Sequence, residues 1–450
     1  MTLAKILTLL LICPFVLTAD DWKQFRGPSA TGLASDQGIP ARLNEGHILW
    51  RTSLPGRGLS SPIIVGNQVF ISAAEGNEQD RLIVLCFNAQ TGLEEWRRSF
   101  WATGRTMCHE KTCVAAPTPV SDGDHLVTVF SSNDVVCLDL KGNLQWLRGL
   151  TVDYPNASNS LGMASSPLIL DGVLVAQIEN DSQSLALGID MADGSNKWSI
   201  ARPKGANWTS PIPCTHSIKP AVALQSGKGV HLVDVHTGAV LSEYLGGAAT
   251  IPSGVLVGSM LLAPSHGISA LDLSSDLAEI PMLWRSRALS PATASPIVMD
   301  NAVFVVNRAG VLTRGSLEGG RREWQLRLKG PFSASAVGFG TVQYWVNEKG
   351  LLQRSSTLVF NMASFMHRAD TVNMNTKENG PANVIKQQKI AGKNSNSSRM
   401  PFGRINKNSV QKGFASGKSN GQRGVRKALG SIKNLQNVGN ARNNIRAAAA

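Results

Sequence analysis

A short loop with two cysteines is the first place in this sequence where residue types and spacing suggest chemistry. The hexapeptide CHEKTC begins at Cys108, ends at Cys113 and contains His109. Two thiols at this spacing permit a disulfide in an oxidising compartment. Two thiols and an imidazole are also zinc ligands, but no second Cys/His cluster completes a tetrahedral set. The sequence therefore favours a disulfide between Cys108 and Cys113 over a metal site, and we predict no metal-ligating residue.

Aspartates recur along the chain in one setting, directly before a turn. They are Asp139, Asp190, Asp234 and Asp272. An aspartate at such a position usually hydrogen-bonds its own backbone and so forms the turn. No Ser-His-acid set, carboxylate pair or phosphate-binding loop stands out, since GRGLS and GKGVH are lone glycine runs. We therefore predict no catalytic residue and no cofactor-binding residue.

A larger unit recurs around these aspartates: apolar strands, an Asp or Asn, a glycine turn and then an aromatic residue. Three copies end in LIVLCFNAQTGLEEW (82–96), VVCLDLKGNLQW (135–146) and LALGIDMADGSNKW (185–198). The aromatic residues of successive units lie 40 to 52 positions apart, at Trp50, Trp96, Trp146, Trp198, Tyr244, Trp284 and Trp324. Periods of this length with four short strands each are typical of a β-propeller.

The chemistry inside each unit agrees with that architecture. Alternating apolar residues such as Val69 and Ile71 give strands with one buried face, and the DG, TG and KGN sequences suit the hairpins between antiparallel strands. A tryptophan buries about 200 Å², so one per unit can fill the gap between neighbouring twisted sheets. We predict an all-β propeller of four-stranded blades, about seven of them recognisable, in which the seven aromatic residues dock each blade on the next.

The repeat also resembles a known family. The endings NAQTGLEEW, DMADGSNKW and DVHTGAVLSEY are similar to those of quinoprotein-type propellers. The segments DWKQFRGPSATGLA (21–34), PGRGLSSPIIVGNQVF (55–70) and KGPFSASAV (329–337) resemble exported bacterial pyrroloquinoline-quinone-binding-like propeller repeat proteins. The resemblance covers about residues 21–353. It is specific for the fold and not for an activity, and it implies a ring of eight blades.

This resemblance implies two alternative functions. Outer-membrane assembly scaffolds of the same fold suggest a non-catalytic propeller that binds a protein or peptide on one face and needs no cofactor. Quinone-dependent oxidoreductases of this shape have a disulfide between adjacent cysteines, a Ca²⁺ ion held by carboxylate and amide oxygens, and an Asp base. This chain has no adjacent cysteine pair and is shorter than those enzymes. We therefore expect the scaffold, with pyrroloquinoline quinone (PQQ) and Ca²⁺ only under the enzyme alternative.

The N-terminus predicts export. Lys5 precedes an apolar run from Ile6 to Leu17, and the sequence then continues with LTADDW. This order is typical of a signal peptide over residues 1–19. The alternative is a membrane anchor, but about a dozen apolar residues are too few to span a bilayer comfortably. Large residues precede Cys13 where a lipoprotein signal needs small ones. We expect a periplasmic or secreted protein that is not lipidated and has no transmembrane span after cleavage.

Residues 355–450 differ in composition from the propeller predicted over 20–354. They hold 16 of the 44 Lys and Arg residues and only two acids, Asp370 and Glu378, which is a surplus of 14 positive charges. The rest of the chain is close to neutral. The net charge of +13 therefore comes from this segment and not from the propeller, and we predict no specific nucleic-acid binding. Without Trp or Tyr, this segment cannot bury enough apolar surface to fold alone. We predict a basic, disordered tail with non-specific affinity for polyanions.

Two motifs in the tail resemble degrons of eukaryotic cell-cycle substrates, including plant securin-like proteins. KEN and RKALGSIKN look like a KEN box and a destruction box, which the anaphase-promoting complex recognises. An exported bacterial-type propeller and a nuclear degron belong to different compartments, so a further alternative is a chimeric gene product. The candidate degron residues are Lys377, Glu378, Asn379, Arg426, Leu429, Ile432 and Asn434.

Overall fold

The computed structural model of this protein describes residues 21–35, 44–157, 161–357 and 371–373. These residues form seven four-stranded antiparallel sheets, and in each sheet the strands follow chain order. Consecutive strands of a sheet are therefore antiparallel neighbours. The predicted β-propeller with seven recognisable blades is confirmed. The eighth blade that the resemblance implies is not found in the part of the chain that the structure describes.

The strands are short, as expected for blades. The first two sheets contain β1 (Ile63–Val65), β2 (Gln68–Glu75), β3 (Arg81–Asn88), β4 (Glu94–Trp101), β5 (Val120–Ser121), β6 (His125–Val129), β7 (Asp134–Asp139) and β8 (Leu144–Gly149). The third and fourth contain β9 (Leu168–Leu170), β10 (Val173–Ile178), β11 (Leu185–Asp190), β12 (Asn196–Ala201), β13 (Ile212–His216), β14 (Lys219–Ser226), β15 (Gly229–Asp234) and β16 (Val240–Tyr244).

The remaining three sheets repeat this plan. They contain β17 (Val255–Val257), β18 (Met260–Ser265), β19 (Gly267–Asp272), β20 (Met282–Ser286), β21 (Ile297–Met299), β22 (Ala302–Val306), β23 (Val311–Ser316), β24 (Arg322–Arg327), β25 (Val337–Phe339), β26 (Val342–Val346), β27 (Leu351–Ser356) and β28 (Thr371–Asn373). Helix is limited to a 3₁₀ turn at Glu45–His47 and one α-helical turn, α1, at Leu150–Asp153 among the described residues.

The last strand changes the predicted boundary of the tail. Residues 355 and 356 belong to β27, and β28 pairs with it in an antiparallel register, with Leu351 opposite Asn373. Three residues from the segment that we predicted to be disordered therefore form the outer strand of the seventh sheet. An outer strand has a neighbour on one side only and is held by backbone hydrogen bonds, which do not require the apolar sequence for which we searched.

The first strands of consecutive sheets, here called inner strands, lie side by side. A chain of hydroxyl groups joins them: in each of six junctions a backbone N–H of one sheet donates to a Ser or Thr oxygen of the next, over 3.0 Å. The residues that take part, in order, are Ser61, Thr118, Ser166, Ser210, Ser253, Ser295 and Ser335. Because the spacing of this bond is the same at every junction, it sets the register between neighbouring sheets.

The apolar core is divided between the sheets. Six clusters of buried side chains each combine residues from two consecutive sheets, for example Val127 and Val135 of the second sheet with Leu174 and Leu187 of the third. The seventh cluster, which contains Leu85, includes residues of the first sheet and Trp50 only. Each sheet is therefore stabilised mainly by burial against its neighbours.

We predict that removing one hydroxyl from the chain between inner strands destabilises the protein. Ser210 is buried, and Ser210→Ala leaves the Ser166 N–H without its acceptor. A buried donor without a partner costs about 1–3 kcal/mol, so the free energy of unfolding should fall by this amount in denaturant titrations. Ser210→Thr is the matched control, because Thr118 serves the same role in the second sheet. Equal losses in both variants would contradict this role for the hydroxyl.

Candidate functional site

Three of the predicted docking aromatics make the same contact with the following sheet. Each indole N–H donates to the carbonyl of the residue directly after the third strand. The pairs are Trp96 with Leu140 (3.0 Å), Trp146 with Met191 (2.9 Å) and Trp198 with Val235 (2.7 Å). The turn glycine lies under the ring: at Gly238, with φ 73°, an added Cβ would be 2.8 Å from Trp198. The aromatic residue of one sheet and the turn glycine of the next sheet therefore pack together and connect the two sheets.

The later docking positions vary this joint. Trp284 packs against Gly320 of the sixth sheet. The Tyr244 hydroxyl accepts a hydrogen bond from Arg285 and lies 3.9 Å from the Met282 sulfur. Trp324 meets the Phe304 ring edge-on at 5.9 Å, and its buried indole nitrogen has no partner among the described residues.

Trp50 makes the contact with the first sheet that Trp96, Trp146 and Trp198 make with the sheets that follow them. Its indole N–H donates to the Ala89 carbonyl over 2.8 Å, its ring lies against Gly92, and the Phe87 ring is 6.5 Å away. Unlike Trp96, however, Trp50 belongs to no strand in the structure.

Residues 21–34, here called the axial segment, connect the two ends of the ring. Trp22 exchanges two backbone hydrogen bonds with Ile64 in β1, over 2.8 and 3.0 Å. At the other end, Gly338 in β25 donates to Gly32 and accepts from Ala34. The axial segment therefore joins the inner strands of the first and seventh sheets.

Arg26 anchors the middle of the axial segment. Its guanidinium donates to the carbonyls of Gly254 (2.9 Å) and Pro296 (2.5 Å), which precede the inner strands of the fifth and sixth sheets, and to Thr31 (3.0 Å). Lys23 of the same segment accepts a hydrogen bond from the backbone of Ser121 in β5 over 2.8 Å. Inner strands surround the axis of a propeller, so a segment bonded at the inner ends of the first, second, fifth, sixth and seventh sheets lies near that axis. Burial lowers the pKa of Arg26 to about 10, and its φ of 64° is uncommon for a residue other than glycine.

A buried ion pair lies between the third and fourth sheets. The Arg202 Nε donates to Glu179 Oε1 over 2.7 Å, and both side chains are almost fully buried. Gln177 and Asn207 donate further hydrogen bonds to the same carboxylate, over 3.0 and 2.9 Å. A buried charge is tolerated when it is paired and hydrogen-bonded, and Glu179 meets both conditions.

This ion pair extends toward the surface through His231. Arg202 Nη1 lies 2.7 Å from His231 Nδ1, and His231 Nε2 lies 3.7 Å from the carboxylate of Glu243. Since the guanidinium only donates, Nδ1 is the acceptor, and the ring proton is on Nε2. Burial, together with the charge of Arg202, lowers the pKa of His231. The group therefore holds a neutral imidazole between one buried ion pair and one exposed carboxylate.

Comparison with known proteins agrees with this geometry. The family model described as outer membrane protein assembly factor BamB matches residues 33–161 and 82–251. Quinohemoprotein alcohol dehydrogenase from Comamonas testosteroni superposes with a TM-score of 0.56 at 11% identity, over 75% of this chain and 71% of its own. BamB from Moraxella catarrhalis gives 0.48 at 15% identity, over 70% of this chain and 85% of its own. No protein of curated function matches the sequence.

The chain contains PQQ-like β-propeller repeats. The resemblance stated from its repeat endings is thus confirmed. The same fold occurs in an assembly factor and in an alcohol dehydrogenase, so the choice between scaffold and enzyme depends on the residues of the site.

The buried acids of this propeller do not fit a Ca²⁺ ion with a quinone. Among the described residues only Asp134 and Glu179 are buried acids. Asp134 accepts hydrogen bonds from Thr103 and Ser132, at 2.5 and 2.6 Å from their hydroxyls. Glu179 is neutralised by Arg202, and Asn207 turns its amide nitrogen, not its oxygen, toward the carboxylate. Ca²⁺ needs six to eight oxygen ligands. At Glu179 the positive charge that balances the carboxylate is the guanidinium of Arg202.

The turn aspartates of the propeller have the setting that the sequence indicates. Asp139 accepts from the backbone N–H groups of Lys141 and Asn143, and Asp234 accepts from those of His236 and Thr237. Hydrogen bonding from Asn143 lowers the pKa of Asp139. These carboxylates are exposed on separate sheets, and no described group of His, Cys, Asp and Glu could hold a metal ion.

The five cysteines that the structure describes are free thiols. Cys113 is buried, and burial raises its pKa to about 11. Cys108 is partly exposed and lies near the Gln79 amide. The disulfide between Cys108 and Cys113 stays a prediction. Cys86 and Cys137 are buried in strands, where burial raises the pKa of each to about 12, so both thiols are protonated at neutral pH.

One hairpin on the rim of the propeller is unlike the others. The turn between β13 and β14 places Ser217 at φ 45° and Ile218 at φ 66°, and Ile218 is 98% exposed. The corresponding turn in the sixth sheet uses Asp300 and Asn301, which adopt such angles more readily. Strain of this kind occurs at functional sites when the surroundings hold it in place.

Contacts with the fifth sheet fix this hairpin. The Ser217 hydroxyl donates to Asp276, and His216 Nδ1 lies 3.0 Å from the Leu273 carbonyl. His216 Nε2 is 3.3 Å from the Asp276 carboxylate. Ile218 therefore exposes an apolar side chain next to two residues that are bonded to the fifth sheet, and Leu277, 62% exposed, lies in the loop that anchors them.

Neither Arg26 nor Ile218 was predicted as a functional residue. Arg26 lies in the quoted FRG sequence, where an arginine before glycine gave no sign of a partner more than 200 residues away. Ile218 had a usable signal, because Ser-Ile replaces the Gly, Asp or Asn of the corresponding turns. The predicted signal peptide and degron lie outside the described residues. No described helix is long and apolar enough to span a membrane.

We predict that the docking aromatics stabilise the propeller through both the ring and the N–H. Trp198→Ala should lower the free energy of unfolding by about 3–5 kcal/mol, as for other buried aromatic residues. Trp198→Phe keeps much of the ring but loses the bond to Val235, at a cost of about 1–3 kcal/mol. Denaturant titration measures both. Trp101, which is 68% exposed, gives the control Trp101→Ala, and a loss there as large as at Trp198 would contradict the role.

Proposed function

We propose that this propeller is a non-catalytic scaffold that binds a protein or peptide partner. The observation that carries the proposal is the axial segment, which brings the chain's own backbone and the guanidinium of Arg26 to the inner strands of the sheets. A cofactor near the axis would have to compete with these groups, so we expect none to bind there. Binding then takes place on the rims and edges of the sheets, where propeller loops are exposed.

The electrostatics of the interior support the same proposal. A general base or a metal ligand needs a carboxylate that is free to accept a proton or a cation. The two carboxylates that are buried in the described part of the chain, Asp134 and Glu179, instead accept hydrogen bonds from the protein, and Glu179 is also paired with Arg202. Such networks hold sheets together and leave no reactive group.

The rim hairpin at Ile218 supplies a suitable contact for a partner. Hot spots of protein interfaces are large side chains that become fully desolvated on binding. Ile218 is almost completely exposed and is held by Ser217 and His216, so its burial by a partner would cost little conformational entropy. We include export in the proposal, since the predicted signal peptide places this scaffold in the periplasm or outside the cell.

Titration with PQQ and Ca²⁺ distinguishes the scaffold from an oxidoreductase. We expect no saturable change in the absorbance of added PQQ when the purified protein is mixed with it and Ca²⁺. The Glu179→Gln and Arg202→Gln variants serve as controls. Each substitution breaks the buried ion pair and so frees groups that now hydrogen-bond around the Glu179 carboxylate. A stoichiometric spectral shift with the wild-type protein would overturn the scaffold proposal.

We predict that Ile218→Gly stabilises the protein and weakens partner binding. A left-handed backbone costs an ordinary residue about 1–2 kcal/mol, so the substitution should raise the free energy of unfolding by about 1 kcal/mol in a denaturant titration. Ile218→Val keeps the strain and the apolar surface and is the control. Affinity capture should retain the same protein on wild type and Ile218→Val and lose it on Ile218→Gly. Destabilisation by Ile218→Gly would show that the isoleucine serves the fold.

A further inference from the structure

Positive charge collects at one end of the fourth to seventh sheets. The connections after the second and fourth strands of a sheet lie at the same end, because its strands are antiparallel and follow chain order. In these sheets the connections are residues 227–228, 245–254, 266, 287–296, 307–310, 328–336 and 347–350, here called the basic end. They contain five Lys and Arg residues and one acid, Glu348.

The same connections in the first three sheets have a different charge. They are residues 76–80, 102–119, 130–133, 150–167, 179–184 and 202–211, and they contain four Lys and Arg residues against six acids. The surplus of positive charge is therefore limited to one side of the ring, although the propeller as a whole is close to neutral.

Most cations of the basic end are exposed and have no acid beside them. Four of the five form no ion pair with an acid in the part of the chain that the structure describes. They are Lys228, Arg287, Arg308 and Lys329. Glu348 accepts a hydrogen bond from the Ser333 hydroxyl over 2.7 Å. Like charges held near one another repel, and an anionic partner relieves this repulsion.

Three cations surround one turn of the sixth sheet. Arg308 lies in this turn, at residues 307–310. Arg327, the last residue of β24, donates to the carbonyl of the next turn residue, Ala309. The backbone N–H after Arg327 also donates to the turn, over 2.9 Å, and Lys329 follows directly. The charges are therefore grouped by the fold and not only by the sequence.

Backbone contacts join this turn to the neighbouring sheets. The Lys329 carbonyl accepts a hydrogen bond from Asn347, in the turn of the seventh sheet, over 2.7 Å. On the other side, the connection that begins at Arg287 donates from Ala292 to Val306, directly before the sixth-sheet turn, over 3.0 Å. The basic end is therefore one continuous surface across these sheets.

One connection of the basic end adds apolar surface. Residues 245–254 donate backbone hydrogen bonds to the Lys228 carbonyl, over 3.1 Å, and to β18 of the fifth sheet, over 2.8 Å. In this connection Leu245 is 62% exposed and Ile251 is 40% exposed. A ligand that carries both carboxylates and apolar side chains would complement both features.

These features favour a peptide over a nucleic acid. Proteins that bind single strands stack the bases on aromatic side chains, and the one aromatic residue of these connections, Phe332, is buried. A duplex is read by a helix or a β-ribbon placed in a groove, whereas the basic end consists of turns and short connections. A nucleic acid also has no apolar side chain to contact Leu245 and Ile251.

The chain's own charges do not complement the basic end. Residues 355–450 have a surplus of 14 positive charges and would be repelled. A second copy could offer the aspartates at the opposite ends of these sheets, but they accept hydrogen bonds within their own copy. Asp234 accepts from its own turn, and Asp276 accepts from the Ser217 hydroxyl. A partner with free carboxylates is therefore favoured over a second copy.

We propose that the basic end binds an acidic, partly apolar peptide segment of a partner protein. Charge complementarity of this kind speeds association and selects the partner. This inference rests on the proposed scaffold function and names the chemistry of a partner. The basic end lies at the opposite end of the sheets from the Ile218 hairpin, so it is a second contact surface of the scaffold.

The fluorescent peptide EDLDEIEDLE is the probe, and its uncharged counterpart QNLNQIQNLQ is the control peptide. Fluorescence anisotropy is measured during titration with the full-length protein. We expect saturable binding that weakens about tenfold in the triple variant Arg287→Gln/Arg308→Gln/Lys329→Gln, because exposed charge pairs with the peptide are lost. Salt should weaken binding by the wild type more than binding by this variant.

The matched control is the triple variant Lys219→Gln/Arg321→Gln/Arg322→Gln. It removes the same charge from the opposite ends of the fourth and sixth sheets and should bind the probe nearly as tightly as wild type. Equal losses in the two triple variants, no binding of the acidic peptide, or equal binding of QNLNQIQNLQ would overturn the proposal.

Carbodiimide cross-linking locates the bound probe, since it joins a peptide carboxylate to a nearby lysine as an amide. We expect mass spectrometry to find cross-links at Lys228 and Lys329. Cross-links in residues 355–450 alone would overturn the proposal. Tighter binding of single-stranded oligothymidylate or of phosphatidylglycerol vesicles would overturn it as well, and so would a dimer in sedimentation that the first triple variant disrupts. The titration with PQQ and Ca²⁺ and the capture through Ile218 do not involve these residues, so the scaffold function and the basic end can fail separately.

Discussion

The hydrogen bond from a backbone N–H to a hydroxyl of the next inner strand is the constraint on which the propeller depends. It recurs at 3.0 Å through six junctions from Ser61 to Ser335. It fixes neighbouring sheets at their inner ends, and the docking aromatic fixes them at their outer ends. Two fixed points determine how one twisted sheet lies on the next. The apolar clusters between the sheets then pack in one register, because a shift of the inner joint would leave a buried donor without its acceptor.

The same constraint explains the prolines that mark the repeat. Five of the seven hydroxyl residues are followed by proline, for example at Ser210-Pro211. Proline has no N–H, so the crowded region near the axis contains one donor fewer at each of these positions. Where Gly254 follows Ser253 instead, its N–H donates to the Gln225 side chain over 3.0 Å, and its carbonyl accepts from Arg26. An N–H group at this position therefore needs an acceptor of its own, which a proline does not. The carbonyl of Gly254 in turn is an acceptor for the axial segment.

The sequence was sufficient for what is repeated and local. Blade number, hairpins and the positions of the docking aromatics follow from a period of 40 to 52 residues, because each joint uses residues at fixed places in the unit. The contacts of Arg26 were out of reach, since they join one short segment to carbonyls in the fifth and sixth sheets and occur once. The outer strand β28 was missed for a different reason: it pairs through its backbone, and backbone pairing leaves little trace in residue types.

The axial segment and the docking tryptophans are separate ways of connecting the first sheet to the rest of the ring. The axial segment bonds to β1 and β25 through the backbone and is anchored by Arg26, so it works without any strand next to Trp50. Trp50 docks on the first sheet through its side chain alone. The first sheet is therefore connected at two separate places, by backbone hydrogen bonds near the axis and by one side chain farther out. Loss of either connection would leave the other in place to hold the register of the first sheet.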